Sequence, residues 1–188
     1  MTTPYLELVL RDKSGSVVDR RMGQNVWVNN GRTWLRDLFS YSSFSPLTAG
    51  NNNRIAYIGF GIGGTRQGSA AAAVAPMSVD YPGTNLQTDQ KPSVSQLERP
   101  VRWRAGKFLA PLAVPTFITT TSLRYSTVLD LTDVTYGGYT AVPLSEIGLY
   151  LNGADDTVGS NQLIAYDTYE TIQKTPGLTL AVTWVISL

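Results

Sequence analysis

The chain has 188 residues and a net charge of +1, and only 15% of its residues are charged. It contains neither cysteine nor histidine, which excludes disulfides, thiolate catalysis, zinc sites built on those residues and histidine-based triads. The near-neutral charge predicts no direct binding to nucleic acid, and the sequence lacks the run of about 18 apolar residues that a membrane span requires. No signal peptide is expected at the N-terminus.

The first predicted elements are a β-hairpin and a helix. The segment YLELVL alternates in polarity, DKSGS is a turn, and VVDRR is the returning strand. After the Asn29-Asn30-Gly31 turn, apolar residues recur with helical spacing. They are Trp34, Leu35, Leu38 and Phe39. This stripe predicts one short helix of about three turns, and we expect Trp34 to lie in the core.

Residues 64–100 form a long segment rich in Ala, Gly, Pro, Ser and Gln, with little periodicity. Such a segment cannot bury enough surface by itself to offset its ordering entropy. We therefore expect an extended arm that a partner orders. The side chains expected to make this partner contact are Arg66, Tyr81, Leu86 and Leu97. The alternative is a plain solvent-exposed loop.

From residue 101 onward the sequence predicts strands. The segments VRWRAGKFLA, TFITTTSLRYSTVLDL, SEIGLYL, QLIAYDTYETI and LTLAVTWVISL are rich in β-branched and aromatic residues. The last alternates strictly, which is typical of a half-buried antiparallel strand and places Trp184 in the core. The length predicts a single domain over residues 1–188, and the fold class is mainly β.

The glycine run in RIAYIGFGIGGT, residues 54–65, raises the question of a dinucleotide site, because Gly59 to Gly64 satisfy G-x-G-x-x-G and Asp80 follows at a suitable distance. A long helix must follow such a motif, but Gly68 and Pro76 limit any helix here to two turns. We therefore expect no nucleotide cofactor. The alternating glycines instead leave one face of the sheet bare, so that Trp34 or Phe39 can pack against the backbone.

Three other groups of residues are candidate sites of chemistry. Asp155 and Asp156 lack the spaced carboxylates of a calcium loop and are interpreted as a solvated turn. Glu146 is a lone carboxylate within a strand, interpreted as a sheet-face or hydrogen-bonded residue. The cluster of Arg99, Arg102 and Arg104 around Trp103 suggests a phosphate-binding stripe, but a salt-bridged outer face is the better interpretation of a chain without basic excess. The sequence predicts no catalytic, cofactor-binding or metal-binding residues.

Three segments carry a resemblance to a known family. They are NNGRTWLRDLF (29–39), IAYIGFGIGGT (55–65) and the region from PLSEIGLYL to the final LTLAVTWVISL (143–188). In this order they resemble small virion structural proteins of tailed bacteriophages. Residues 66–100 are not covered by the match.

The resemblance implies an antiparallel, jelly-roll-like β-sandwich without enzymatic activity, located in the virion and assembled in the host cytoplasm. The expected function is that of a capsid decoration or cement protein that stabilises the particle. The implied partners are the major capsid protein or the tail and neck proteins, and a homo-oligomer is expected.

Two alternatives to the decoration function stay open. The first is a neck or tail accessory protein of the same virion class. The second is a carbohydrate-binding module, for which the aromatic loop TYGGY (135–139) is a suitable feature, although most aromatic residues occupy predicted core positions.

Overall fold

The computed structural model describes residues 4–23, 26–40, 54–64, 97, 100–104, 106–134, 140–152 and 163–187. These residues form a mainly β structure with two antiparallel sheets and one short helix, as the sequence predicts. The helix α1 spans Asn29–Ser40.

Sheet 1 contains five strands in the order β2-β1-β10-β7-β6. Their bounds are β1 Tyr5–Arg11, β2 Val17–Gly23, β6 Thr116–Thr119, β7 Ser122–Leu129 and β10 Thr179–Ser187. The predicted N-terminal hairpin is confirmed, because β1 pairs with β2 in antiparallel register. The strand β10 lies at the centre, between β1 and β7.

Sheet 2 contains five strands in the order β3-β9-β8-β4-β5. Their bounds are β3 Val26–Trp27, β4 Ile55–Gly61, β5 Leu109–Pro111, β8 Val142–Leu151 and β9 Leu163–Lys174. The central strand β8 pairs with β4 on one side and with β9 on the other.

One hydrophobic core contains side chains from both sheets. Leu6 and Leu8 of sheet 1 belong to the same buried cluster as Ile58 and Leu149 of sheet 2. Trp184 is fully buried in this core, as the alternation of β10 predicts. Trp34 is only partly buried and packs against the edge of the core.

A second cluster covers the other face of sheet 2, and it explains why all ten residues of β8 are buried. Alternation places Tyr150 on the opposite face from Leu149. The cluster consists of Val28, Leu97, Leu109, Tyr150, Leu163 and Tyr166, with Tyr57 partly buried beside it. The central strand of sheet 2 is therefore enclosed on both faces.

Two of the predicted strand segments are interrupted. In VRWRAGKFLA, hydrogen bonds between the backbones of Trp103, Arg104 and Lys107 close a tight turn, helped by Gly106 at φ +89°, and a regular strand begins only at Leu109. The segment TFITTTSLRYSTVLDL folds back on itself as the β6–β7 hairpin. Its turn consists of threonines, which favour strands by propensity and so conceal the reversal.

The helix begins earlier than predicted. Asn29, Asn30 and Gly31 form its first turn, and the amide of Arg32 donates to the carbonyl oxygen of Val28 at 3.0 Å. Gly31 is tolerated there because the helix lies directly on β9. A Cβ at this position would lie 2.0 Å from the carbonyl oxygen of Ile164.

Candidate functional site

The glycine run ends against a buried glutamate on the neighbouring strand. Gly61 pairs with Glu146, which is 0% exposed, and a Cβ on Gly61 would lie 2.3 Å from its Oε1. The strand β4 therefore needs glycine at this position to leave room for the carboxyl group. The two residues are far apart in the sequence and meet only through the register of β4 and β8.

The Glu146 carboxyl group is held by hydrogen bonds from two directions. The Gly63 amide donates to Oε1 at 3.0 Å, and the Tyr166 hydroxyl donates to Oε2 at 3.0 Å. Next to it, the Gly64 amide donates to Ser145 Oγ at 3.0 Å. The interpretation of Glu146 as a hydrogen-bonded residue agrees with this geometry, which fixes the turn that follows β4.

This arrangement answers the question that the glycine motif raises. A phosphate-binding turn offers its backbone amides to the ligand. Here the amides of Gly63 and Gly64 are donated to side chains of β8. The described part of the turn is thus used for packing against a neighbouring strand.

The prediction that Trp34 packs against the bare glycine face is wrong. The neighbours of Gly59 are Tyr150 and Leu97, whose nearest atoms would lie 3.0 and 3.1 Å from an added Cβ. Trp34 instead stacks on Trp27, with ring centroids 6.3 Å apart. The side chain of Phe39 lies outside the described residues.

Among the predicted partner-contact residues, the structure describes Leu97 alone. It is 2% exposed and packs between Gly59 and Gly148 on the outer face of sheet 2. The chain's own residues therefore cover this side chain, which attaches the end of the long segment to the sheet. Arg66, Tyr81 and Leu86 lie outside the described residues, as do Asp155, Asp156 and the TYGGY loop.

The arginine cluster contains an ion pair, as the salt-bridge interpretation predicts for Arg104. Its Nε and Nη2 donate to the two carboxylate oxygens of Asp133 at 2.9 and 3.0 Å, and its guanidinium lies 4.6 Å from the centre of the Trp103 ring. Arg102 lies 5.9 Å from the Phe108 ring. Arg99 lies outside the described residues.

Asp133 and Lys174 lie close enough to interact electrostatically, and Lys174 links sheet 2 to the loop after β7. Burial opposes ionisation of Asp133, but the hydrogen bonds from Arg104 and the Asp130 amide outweigh it, so the pKa of this carboxyl is lowered. Burial lowers the pKa of Lys174, although Asp133 and Asp130 act in the opposite direction. The Lys174 ammonium donates to the carbonyl oxygen of Leu131 at 3.4 Å, which joins β9 to the loop after β7.

The most exposed apolar side chains lie along both edges of sheet 1. On β2 they are Val17, Val18 and Met22, each more than half exposed. At the other edge, Phe117 on β6 is 80% exposed; next to it, Val114 before β6 is 88% exposed and Val128 on the neighbouring strand β7 is 55% exposed. This surface could not be predicted from the sequence, because alternation alone does not show which strands are edges.

A shallow groove of about 420 Å³ lies beside the second of these edges. Trp103 forms one wall, and residues before β6 and along β7 form the rest. The groove has a mixed lining of Pro111, Leu112, Ala113, Ser126, Thr127 and Val128. The indole nitrogen of Trp103 is buried without a hydrogen-bond acceptor in the described structure.

Comparisons with known proteins assign no family. No family model, curated protein or solved structure matches the chain. Within the described ranges, no group of three or more acidic, cysteine or histidine residues is arranged to hold a metal ion. Nor does that part of the chain contain a helix of the length and apolarity needed to cross a membrane.

Proposed function

We propose that this chain is a non-enzymatic structural protein of a tailed-phage virion, which attaches to the particle as a capsid decoration protein. The observation that carries the proposal is the placement of large apolar side chains on the surface. Phe117 and Val114 are more than three quarters exposed at one edge of sheet 1, and Met22 is exposed at the other. Exposed apolar surface of this kind marks contacts with partner proteins.

The candidate polar residues favour a structural function as well. Glu146 binds the turn after β4, and Asp133 binds Arg104, so both carboxylates are engaged within the chain. The Glu146 carboxyl group is fully buried, so it has no route to a substrate. These two carboxylates thus stabilise the fold, and the exposed surface supports contact with a partner.

The segments that resemble phage virion proteins fit together in space, which supports the resemblance. Gly61 and Gly63 of the second segment meet Glu146 of the third. Gly31 of the first segment lies against Ile164 of the third. Motif residues that pack on one another define a fold. The motif residues of an active site would instead line a common cavity.

In the same proposal, the two sheets form a jelly-roll-like β-sandwich. The chain passes between the sheets repeatedly, usually after a pair of strands: β4 and β5 lie in sheet 2, β6 and β7 in sheet 1, and β8 and β9 in sheet 2. Paired crossings of this kind are typical of Greek-key connections in sandwiches.

The proposal is tested by attachment to particles. Labelled full-length chain is added to particles that lack it, and co-sedimentation is compared with that of a variant lacking residues 68–92. Attachment of the full chain but not of a folded deletion variant supports the contact arm. Equal attachment of both places the contact elsewhere on the chain, and failure of the full chain to attach contradicts the proposal.

A second candidate function is glycan binding in the Trp103 groove. An indole in a groove with hydroxyl groups from Ser126 and Thr127 offers both stacking and hydrogen bonding to a sugar. Saturable quenching of tryptophan fluorescence by an oligosaccharide, lost in Trp103→Ala, would favour this function. Absence of saturation across a glycan panel would exclude it.

A further inference from the structure

Trp103, which forms one wall of the groove beside β7, is connected to a buried carboxylate through its neighbour in the sequence. The Arg104 guanidinium lies over the Trp103 ring, 4.6 Å from its centroid. The same guanidinium donates two hydrogen bonds to Asp133, which is 4% exposed. An arginine held by a bidentate pair is a rigid plane against which an indole ring can stack. The position of the Trp103 ring is therefore coupled to Asp133.

The backbone of the loop after β7 provides a second link to Trp103. The Val134 amide, directly after Asp133, donates to the carbonyl oxygen of Trp103 at 2.9 Å. Asp133 also accepts a hydrogen bond from the Asp130 amide at 2.8 Å, which closes the loop on itself. The side chain of Val134 is buried in the main core. Trp103 and the loop of residues 130–134 thus form one connected unit.

Two features of this unit are energetically unfavourable. Val134 has a φ angle of 74°, at which a β-branched side chain is strained. The indole nitrogen of Trp103 is buried and has no hydrogen-bond acceptor in the described structure. Both costs would be relieved if the loop relaxed and the indole reached water. The ion pair between Arg104 and Asp133 opposes that change.

We infer that this unit is a conformational switch, in which ionised Asp133 holds Trp103 in the groove wall through Arg104, and neutralisation of Asp133 releases the indole. Arg104 does not line the groove, so the guanidinium and the groove lie on different sides of the ring. Release exposes the covered ring face and removes one wall of the groove. It requires neither the proposed virion function nor a glycan ligand.

The charged groups around Asp133 set the direction of the switch. Arg104 and Lys174 of β9 face the carboxyl group, and the Asp130 carboxylate lies 3.7 Å from the Arg104 guanidinium. Burial opposes ionisation of Asp133, but the hydrogen bonds from Arg104 and the Asp130 amide outweigh it, so its pKa is lowered from 3.8. The ionised form is therefore present at neutral pH and is lost as the pH falls through the lowered pKa. Acid should release Trp103.

Acrylamide quenching of Trp103 fluorescence tests the switch in the full chain at pH 7. The chain has four tryptophans, so each protein is measured beside its Trp103→Phe counterpart, and the difference gives the signal of Trp103. Asp133→Asn should raise the quenching constant of Trp103 about twofold, because the second face of the ring is uncovered. The matched control is Asp130→Asn, which removes only the 3.7 Å contact with Arg104 and should leave the constant unchanged.

A second variant decides the question if Asp133→Asn does not fold, which circular dichroism detects. Arg104→Lys keeps the charge at an exposed position but loses the planar, bidentate contact, so it should release Trp103 as well. Acidification of the natural chain from pH 7 to pH 3 should reproduce the rise in quenching. Folded variants in which Trp103 stays as protected as in the natural chain overturn the inference. So does a rise in acid that Asp133→Asn shows to the same extent.

Discussion

At the scale of single residues, the contact between Glu146 and Tyr166 shows how the fold uses a buried carboxyl group. The glutamate is fully enclosed, and its two oxygens accept hydrogen bonds from Gly63 and Tyr166. Removal of one donor leaves a buried acceptor less well satisfied, which is costly inside a protein. The free energy of unfolding should therefore be sensitive to substitutions of the donors to Glu146, even when they barely alter side-chain volume.

Tyr166→Phe should lower the free energy of unfolding by about 1–3 kcal/mol, because it removes the hydroxyl that donates to Glu146. The matched control is Tyr125→Phe, since Tyr125 is also buried but has no side-chain hydrogen bond in the described structure. That control should change stability by less than about 0.5 kcal/mol. Urea denaturation of the three proteins measures the difference, and equal losses in both variants would contradict the assigned function of Tyr166.

The Asp133 carboxyl group predicts a defined dependence of stability on pH. Its pKa is lowered in the folded protein, so its ionised form stabilises the fold at neutral pH. That contribution is present above the pKa of the unfolded chain and is lost as the pH falls through the folded pKa. Acid should therefore weaken the link between Asp133 and Arg104.

Asp133→Asn provides the test, because it keeps the size of the side chain and removes its charge. The variant should be less stable than the natural chain at pH 7, and the difference between the two should shrink as the pH falls below about 4. Denaturation midpoints measured from pH 7 to pH 3 give this difference. A gap that stays constant over that range would show that the charge of Asp133 is not responsible.

At the scale of elements, the helix α1 depends on a close approach to β9. Gly31 lies in its first turn, where an added Cβ would lie 2.0 Å from the backbone oxygen of Ile164 and 2.8 Å from the Trp27 ring. Neither neighbour is the far end of a flexible side chain. At this position helix propensity therefore favours alanine, whereas packing against β9 favours glycine.

Gly31→Ala should destabilise the chain by about 1–3 kcal/mol through overpacking, although alanine raises intrinsic helix stability by about 1 kcal/mol. The matched control is Thr33→Ala, an exposed position on the same helix, which should be neutral or stabilising by about 0.5 kcal/mol. Thermal or urea denaturation separates the two. A gain of stability in Gly31→Ala would show that the helix does not lie against β9 as described.

Local sequence patterns predicted several elements correctly. The features that were not predicted depend on pairing between strands that are far apart in the sequence. The N-terminal hairpin, the helix and the last strand follow from turn residues and periodicity. The glycine face could not be assigned, because Glu146 and Tyr150 reach it only through the register of β4 and β8. The turn at residues 120 and 121 was hidden in a run of threonines, which suit a strand as well.

The exposed edges of sheet 1 also depend on long-range strand pairing. Phe117 has the composition of a core residue, and only the sheet order places it on an outer strand. The candidate contact surface therefore could not be predicted without knowing which strands have one neighbour. Leu97 is the reverse case, since a side chain expected to contact a partner is buried by the chain itself.

At the scale of the whole molecule, we propose that the protein acts through its surface. Two of its buried carboxylates, Glu146 and Asp133, are engaged in holding strands and loops together. Its most exposed apolar side chains lie at or next to the edges of sheet 1, where a partner can cover them. In the proposed function, a weak contact with the particle gains effective strength when many copies are arrayed on it.

The copy number of the chain in purified virus particles tests the proposed decoration function most directly. Quantitative mass spectrometry against the major capsid protein, on particles produced by the genome that encodes the chain, gives this number. A capsid decoration protein should be present in on the order of hundreds of copies, as repeated attachment over a capsid lattice requires. About six or twelve copies would instead assign the chain to the neck or tail. Absence of the chain from purified particles would contradict the proposed function.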